Sequence, residues 1–221
     1  LRGKEIAFIP QTVAALDPLL KAGAQVQNGN KSPGMNRRRE EAFARLGLAE
    51  NVKNLYPFAL SGGMARRVLF ASAAVSEASL ILADEPTPGM GAEQAVQALS
   101  IFRQFAGEGK AVVLITHDID LALAFAHRIA IFYAGTIVEE TPVQHFAAGP
   151  AALRHPYSKA LWQAMPQHGF TPLPGFQPYA GELPPGCPFA PRCGCKSNLC
   201  SAEFPPARAL RGGLVRCHHA T

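Results

Sequence analysis

Short apolar runs alternate with helical patterns through the first 148 residues, and this alternation limits the fold more than any other feature. The runs Leu80–Ala83, Ala111–Thr116 and Ile129–Tyr133 are strand-sized and almost wholly apolar. Strands that are apolar on both faces are typical of a parallel sheet covered by helices on both sides. The sequence therefore predicts an α/β core.

The other core elements follow from the spacing of apolar residues. We expect a short strand at Glu5–Ile9 and a turn at Ala134-Gly135. Helical spacing predicts four helices, at Asn36–Leu48, Met64–Ser76, Ala92–Ala106 and Ile119–Ala126. No apolar run approaches the ~18 residues that span a bilayer, so the sequence predicts no membrane-embedded segment.

Composition changes near residue 150. Twelve of the 19 prolines lie from Pro150 to Pro206, and all five cysteines lie from Cys187 to Cys217. The chain is 48% hydrophobic and 17% charged, which excludes wholesale disorder, and its net charge of +5 is a modest surplus. We expect two regions, an α/β core over residues 1–148 and a loop-rich extension over residues 149–221.

Two adjacent carboxylates, Asp84 and Glu85, end the apolar strand that starts at Leu80. Ligands of open α/β sheets bind at the carboxyl ends of the strands. An Asp there can hold Mg²⁺, and the next Glu can polarise a water that attacks a phosphate. The alternative is a solvated acidic turn without a ligand.

Three further segments are suggestive but individually weak. Ser61, Gly62 and Gly63 precede a predicted helix, whose N-terminal N–H groups suit a phosphate, although a flexible loop with a Ser cap is the alternative. His117 follows the strand that ends at Thr116, and Gln11 follows the first strand. A lone histidine at a strand end is more often structural, and Gln11 alone is equally uninformative.

Taken in order and with their spacing, these segments resemble the nucleotide-binding subunit of ATP-binding-cassette (ABC) transporters, which has a P-loop NTPase-like fold with a helical subdomain. Gln11 resembles the Q-loop glutamine, Leu60–Met64 the signature motif, Leu80–Glu85 the Walker B strand and His117 the switch histidine. The resemblance covers nearly the whole chain.

The resemblance implies a mechanism with ATP and Mg²⁺ sandwiched between two such subunits. Glu85 would orient or deprotonate the attacking water, His117 would support the γ-phosphate and Asp84 would assist Mg²⁺. Gln11 would sense the metal and the membrane partner. Ser61, Gly62 and Gly63 would complete the ATP site of the opposite subunit.

The sequence departs from the family pattern in three places. It contains no G-x-x-x-x-G-K-[ST] phosphate loop, which the family carries upstream of the Q-loop. We therefore expect that the N-terminal part with Walker A is absent and that this chain alone binds ATP poorly. Gly91 stands where an interface Asp is usual, and Arg66 where a Gln is common. Both positions are expected at the dimer interface, where they suit an asymmetric heterodimer.

Four cysteines in the extension, Cys187, Cys193, Cys200 and Cys217, have the spacing C-x₅-C-x₆-C-x₁₆-C. A disulfide framework is one interpretation of clustered cysteines, but a cytosolic ATPase lies in a reducing compartment, which favours a metal. Four thiolates suit Zn²⁺ or a [4Fe–4S] cluster, and the spacing does not choose between them. Unligated thiols are a further alternative.

The extension resembles the C-terminal region of the oligopeptide/dipeptide/nickel importer subfamily. The matching stretches are Leu183–Cys193, Val215–His218 and the link His155–Leu161. This resemblance implies a [4Fe–4S] cluster on those four cysteines, with Zn²⁺ as the alternative and Cys195 as an additional thiol.

Together these features predict the ATPase subunit of a peptide or nickel importer. It would lie peripherally on the cytoplasmic face of the cell membrane, paired with a second ATPase subunit in a homo- or heterodimer. It would dock on transmembrane permease subunits and act indirectly with an extracytoplasmic substrate-binding protein. The alternatives are an ATPase-dead or regulatory subunit fragment and an ABC-type ATPase acting on nucleic acid. No nucleic acid is expected, because no basic patch interleaved with aromatic residues is present.

Overall fold

The computed structural model describes residues 5–30 and 32–221, and these divide between Phe125 and Ala126 into two compact units. Each unit has its own sheet and its own buried residues. None of the helices in the described ranges has the length and hydropathy needed to cross a bilayer.

A three-stranded parallel sheet forms the centre of the first unit. Its strands are β1 (Ile6–Ile9), β2 (Leu80–Asp84) and β3 (Ala111–Ile115), in the order β1-β2-β3. In the described part of this unit the helices are α1 (Ala22–Gln27), α2 (Met35–Arg45), α3 (Gly62–Ala74), α4 (Ala92–Gly107) and α5 (Ile119–Phe125). The parallel sheet and helices α2 to α5 confirm the prediction from apolar spacing, whereas α1 was not predicted.

The two faces of this sheet differ in exposure. Ile9, Ile81 and Ala83 lie on one face, are 0% exposed and belong to a core to which α3 and α4 contribute. On the other face, Val113 and Ile115 are 47% and 49% exposed. Among the described residues the expectation that helices cover both faces was therefore wrong, because only one face is fully buried.

The second unit contains a four-stranded antiparallel sheet in the order β4-β5-β7-β6. Its strands are β4 (Arg128–Tyr133), β5 (Thr136–Pro142), β6 (Arg208–Leu210) and β7 (Gly213–Val215), and its helices are α6 (Val143–Ala147), α7 (Pro156–Gln163) and α8 (Asn198–Ala202). Strand β7 pairs with β5, so one sheet joins residues from both sides of position 148. The division of the chain into a core of residues 1–148 and an extension of residues 149–221 stays a prediction.

Strand β4 corresponds to the predicted run Ile129–Tyr133, but it does not join the parallel sheet. Ala134 and Gly135 separate Tyr133 from its partner Thr136 and have positive φ angles of 46° and 81°. Two central residues with positive φ characterise the type I′ turn, which connects antiparallel strands. The sequence predicted this turn but not its consequence. Because of the turn, β4 pairs with β5 in a hairpin.

A buried polar cluster lies beside this sheet. The Glu139 carboxylate accepts from the Arg154 Nε–H at 2.9 Å and from the main-chain N–H groups of Arg154 and His155, and both side chains of the ion pair are 0% exposed. Arg154 also donates to the carbonyls of Glu140 and Leu210. The cluster therefore ties β5, the start of α7 and the end of β6 together.

Candidate functional site

The carboxyl-terminal edge of the parallel sheet carries four of the predicted site residues. Asp84 is the last residue of β2 and is in register with Ile115 at the end of β3. Glu85 and His117 follow these two strands, and Gln11 follows β1. Parallel strands expose their carboxyl ends on one edge, which is where such sheets bind ligands.

Glu85 and His117 contact each other directly. One carboxylate oxygen of Glu85, Oε1, accepts the main-chain N–H of His117 at 2.9 Å and lies 2.7 Å from His117 Nδ1. The Glu85 side chain is 15% exposed, whereas that of His117 is 83% exposed. The hydrogen bond to Glu85 raises the pKa of His117, and the charges of Glu85 and Asp118 act in the same direction. The pair can therefore hold a proton at an exposed ring nitrogen.

The main chain at Glu85 is strained. Its φ of 41° lies in the left-handed region, which non-glycine residues rarely adopt. The Glu85 N–H donates to the Ile115 carbonyl at 2.9 Å and so keeps the residue attached to β3. Strained backbone of this kind is concentrated at functional sites.

The predicted signature residues form the N-terminus of α3. Ser61 is the N-cap, and its hydroxyl accepts the N–H of Met64 at 3.2 Å. Gly62 and Gly63 open the helix, the first turn has no acidic residue, and a Cβ on Gly62 would meet nothing within 4 Å. An open, uncharged helix start of this kind suits an anionic group.

Arg66 lies inside the first unit, although sequence reasoning expected it at a dimer interface. It is 8% exposed and donates to the carbonyls of Glu85 and Gln11, at 3.0 and 2.9 Å. These contacts join residues far apart in sequence, so no local pattern could have revealed them. At Gly91, the other departure from the family pattern, the N–H donates to the Gln94 side chain at the start of α4.

The four predicted metal-ligating cysteines, Cys187, Cys193, Cys200 and Cys217, line one small cavity in the second unit together with three histidines: His155, His218 and His219. Cys195, the additional thiol, is exposed and is not among the lining residues. The structure thus brings together four cysteines that lie up to 30 positions apart in the sequence.

Close main-chain packing brings two of these cysteines together. The Cys187 N–H donates to the Cys200 carbonyl at 2.8 Å. A Cβ on the preceding residue, Gly186, would overlap that carbonyl, so this approach requires glycine. The signal was present in the sequence, because glycine before a cysteine is consistent with a close main-chain approach.

The donor set fits a thiophilic metal, but the side chains as they stand do not form a complete site. All five cysteines are free thiols, and burial raises the pKa of Cys187, Cys193 and Cys217. Within residues 5–30 and 32–221, no group of three or more His, Cys, Asp or Glu side chains is arranged to hold a metal ion. Binding a metal would therefore require the thiols to lose protons and to move closer together.

Two family models match the chain. One, described as "ABC transporter", matches residues 1–88, and the other, "Oligopeptide/dipeptide transporter, C-terminal region", matches residues 138–200. The second match begins in β5, within the second unit.

Curated relatives match over nearly the full chain. The dipeptide transport ATP-binding protein DppD of Escherichia coli (strain K12) is 34% identical over 236 residues, which cover 99% of this chain and 71% of that protein. A putative peptide import ATP-binding protein of Brucella melitensis biotype 1 is 31% identical over 242 residues, covering 100% of this chain and 69% of that protein.

Solved structures agree with these relatives. A dimeric ATP-binding cassette in a post-hydrolysis state, bound to ADP and Pi, matches with a TM-score of 0.58 and 31% identity. A dimeric bacterial ABC transporter cassette matches with a TM-score of 0.59 and 30% identity. In both cases the match covers 64% of this chain and 64% of the solved chain. The chain has the ABC ATPase fold and belongs to the ATP-binding proteins of ABC transporters, within the group that carries the oligopeptide/dipeptide transporter C-terminal region.

Proposed function

We propose that this chain is the ATP-hydrolysing subunit of an ABC importer for dipeptides or oligopeptides. The observation that carries the proposal is the contact between Glu85 and His117 at the carboxyl edge of the parallel sheet. The named relatives are peptide or dipeptide transport proteins, which favours peptides as the cargo over nickel.

The chemistry that we assign to the site is activation of a water for attack on the γ-phosphate of ATP. Glu85 orients or deprotonates the water, and His117, whose pKa is raised, contributes a hydrogen bond or a positive charge toward the γ-phosphate. Asp84 would hold Mg²⁺, which supplies positive charge to the phosphates. Gln11 would contact this metal from the neighbouring strand.

We assign the N-terminus of α3 to the ATP of a second subunit. Ser61, Gly62 and Gly63 would face that nucleotide, so that each site is completed only in a dimer. Gly91 leaves this chain without an interface carboxylate at that position, which is consistent with a heterodimer whose two sites are unequal. The dimer would lie peripherally at the membrane on permease subunits that receive cargo from a substrate-binding protein.

The test is ATP hydrolysis by the complete transporter assembly. We expect Glu85→Gln to lower kcat by about 10²–10⁴-fold while nucleotide binding persists, because the variant lacks only the base. Glu77→Gln, which alters an exposed carboxylate paired with Arg38, is the matched control and keeps the parent rate. Hydrolysis by Glu85→Gln at the parent rate would contradict the proposal.

The same assembly separates the alternatives. A parent assembly that binds ATP but does not hydrolyse it would indicate an ATPase-dead or regulatory subunit. Stimulation of hydrolysis by DNA or RNA, but not by peptide with the binding protein, would indicate an ATPase acting on nucleic acid. Stimulation by nickel instead of peptide would change only the cargo.

We further propose that Cys187, Cys193, Cys200 and Cys217 hold a metal centre, a [4Fe–4S] cluster in preference to Zn²⁺. Four free thiols around one cavity support this proposal. A bound centre would supply a cross-link to the cysteine-bearing segment, whose helix α8 is only five residues long.

Metal analysis of protein purified without air tests this second proposal. We expect iron and sulfide at about four each per chain, with a broad absorption band at ~400 nm. Cys193→Ser should lose them, and Cys195→Ser, the matched control, should keep them. Zinc at about one per chain would show that the four cysteines hold a zinc ion and not a cluster. Absence of both metals would overturn the proposal.

A further inference from the structure

Arg66 is a buried cation at an unusual position. It lies in the second turn of α3, the helix that starts with Gly62 and Gly63, and is 8% exposed. Its two terminal nitrogens donate to two main-chain carbonyls, Nη1 to Glu85 at 3.0 Å and Nη2 to Gln11 at 2.9 Å. One side chain therefore bridges the segments that follow β1 and β2.

The environment of Arg66 is costly for a cation. Burial lowers its pKa, and no neighbouring carboxylate in the described part of the chain offsets that effect. A buried charge neutralised only by carbonyl dipoles is worth less than one paired with a carboxylate. A neutral side chain would avoid this cost, so the contribution of Arg66 to stability does not explain why a cation lies here.

The two carbonyls belong to residues that line the candidate site. Glu85 has the left-handed φ of 41°, and its carboxylate accepts the N–H of His117. Arg66 therefore holds the peptide unit that follows Glu85, and the Glu85 N–H to Ile115 hydrogen bond holds the one that precedes it, so that together they fix the position from which the carboxylate projects. Through Gln11, Arg66, Glu85 and His117, hydrogen bonds run without interruption across the sheet edge.

We propose that Arg66 is a positioning residue that fixes the orientation of Glu85 and couples it to Gln11 and to helix α3. The role in catalysis rests on the proposed function, but the bridge itself does not. Because α3 would serve the nucleotide of the opposite subunit and Glu85 the nucleotide of this chain, Arg66 links the two sites through a single side chain. A shift of α3 or of the Gln11 segment would move the Glu85 carbonyl with it.

The first test uses NMR on this chain without nucleotide. We expect Arg66→Met, which keeps the length but removes every donor, to move the His117 amide resonance upfield and to speed its hydrogen exchange by about tenfold, the loss of one hydrogen bond. Arg66→Lys retains a charge and three donors, so it should restore most of the amide shift. This readout requires neither ATP nor a partner subunit.

Arg67→Met is the matched control. Arg67 lies on the same helix and also donates to carbonyls, those of Gly63, Leu46 and Gly47, but it contacts neither Gln11 nor Glu85. It should lower stability and leave the His117 amide unchanged. An unchanged amide in Arg66→Met, or the same change in both variants, would overturn the proposal. If Arg66→Met does not fold, Arg66→Leu, which also has no donor, replaces it in the comparison.

The second test measures hydrolysis in the complete assembly. A positioning role predicts that Arg66→Met lowers kcat about tenfold with KM nearly constant, because the loss concerns the orientation of Glu85 in the transition state. A rise in KM with constant kcat would contradict it. If the parent does not hydrolyse ATP, the proposed function fails, while the NMR result still decides whether Arg66 positions Glu85.

Discussion

Each unit contains a group of one glutamate, one histidine and one arginine, but the environments of the two groups are opposite. In the first unit, Glu85 contacts His117, which is 83% exposed and has a raised pKa. In the second unit, Glu139 is 0% exposed and accepts the main-chain N–H of His155, whose pKa burial lowers to about 4. The environment of the first group thus favours the protonated form of its histidine, and that of the second group favours the neutral form.

The arginines of the two groups differ in the same way. Arg154 forms a buried ion pair with Glu139, so its charge is matched by a carboxylate. Within the described residues Arg66 donates to two carbonyls, and the carboxylate of Glu85 accepts from His117 instead. A buried cluster in which every charge is paired stabilises the fold. A cluster with unpaired charges leaves polar groups that can bind a substrate.

Loss of Glu139 should have the largest effect on stability. We expect Glu139→Gln to lower the free energy of unfolding of the second unit by about 3–5 kcal/mol, because it leaves the buried Arg154 charge without a carboxylate. Urea denaturation followed by circular dichroism measures the change. Arg128→Met, which removes the more exposed Arg128–Glu140 pair of the same sheet, is the control and should cost much less. Equal effects of the two variants would contradict the comparison.

The lowered pKa of His155 predicts a pH dependence of stability. Between about pH 4 and 6.5 the unfolded chain binds a proton at His155 and the folded chain does not, so stability falls as the pH falls through this range. The full effect is about 3 kcal/mol and is complete below the folded pKa. Urea midpoints across the interval, with a chelator present, measure it. His155→Asn retains an N-cap side chain for α7 and should abolish this component of the slope.

The raised pKa of His117 predicts a smaller effect of opposite sign. Its contribution to stability is complete below the unfolded pKa of 6.5 and disappears as the pH rises through the folded pKa. An NMR titration of the His117 ring should give a pKa above 6.5 in the parent and a value closer to 6.5 in Glu85→Gln. Equal pKa values of His117 in the two proteins would show that Glu85 does not cause the raised pKa.

The apolar runs and the polar residues that follow them were enough to predict much of the first unit. The apolar runs at Leu80 and Ala111 became β2 and β3, and Asp84, Glu85 and His117 lie at the strand ends as expected. Sequence reasoning failed at β4, where the hairpin turn determined the pairing, and at Arg66, whose partners are 19 and 55 residues away. Such contacts leave no periodicity for a single sequence to show.

The sequence by itself determined which residue types follow each strand, because apolar periodicity and turn residues act over a few neighbouring positions. Only the tertiary structure decided how buried each polar group is. That burial separates Glu85 from Glu139 and His117 from His155, since the free energy of a charge depends on the solvent and partners that the whole fold leaves around it. It also brought Cys187 and Cys217, 30 residues apart, to one cavity.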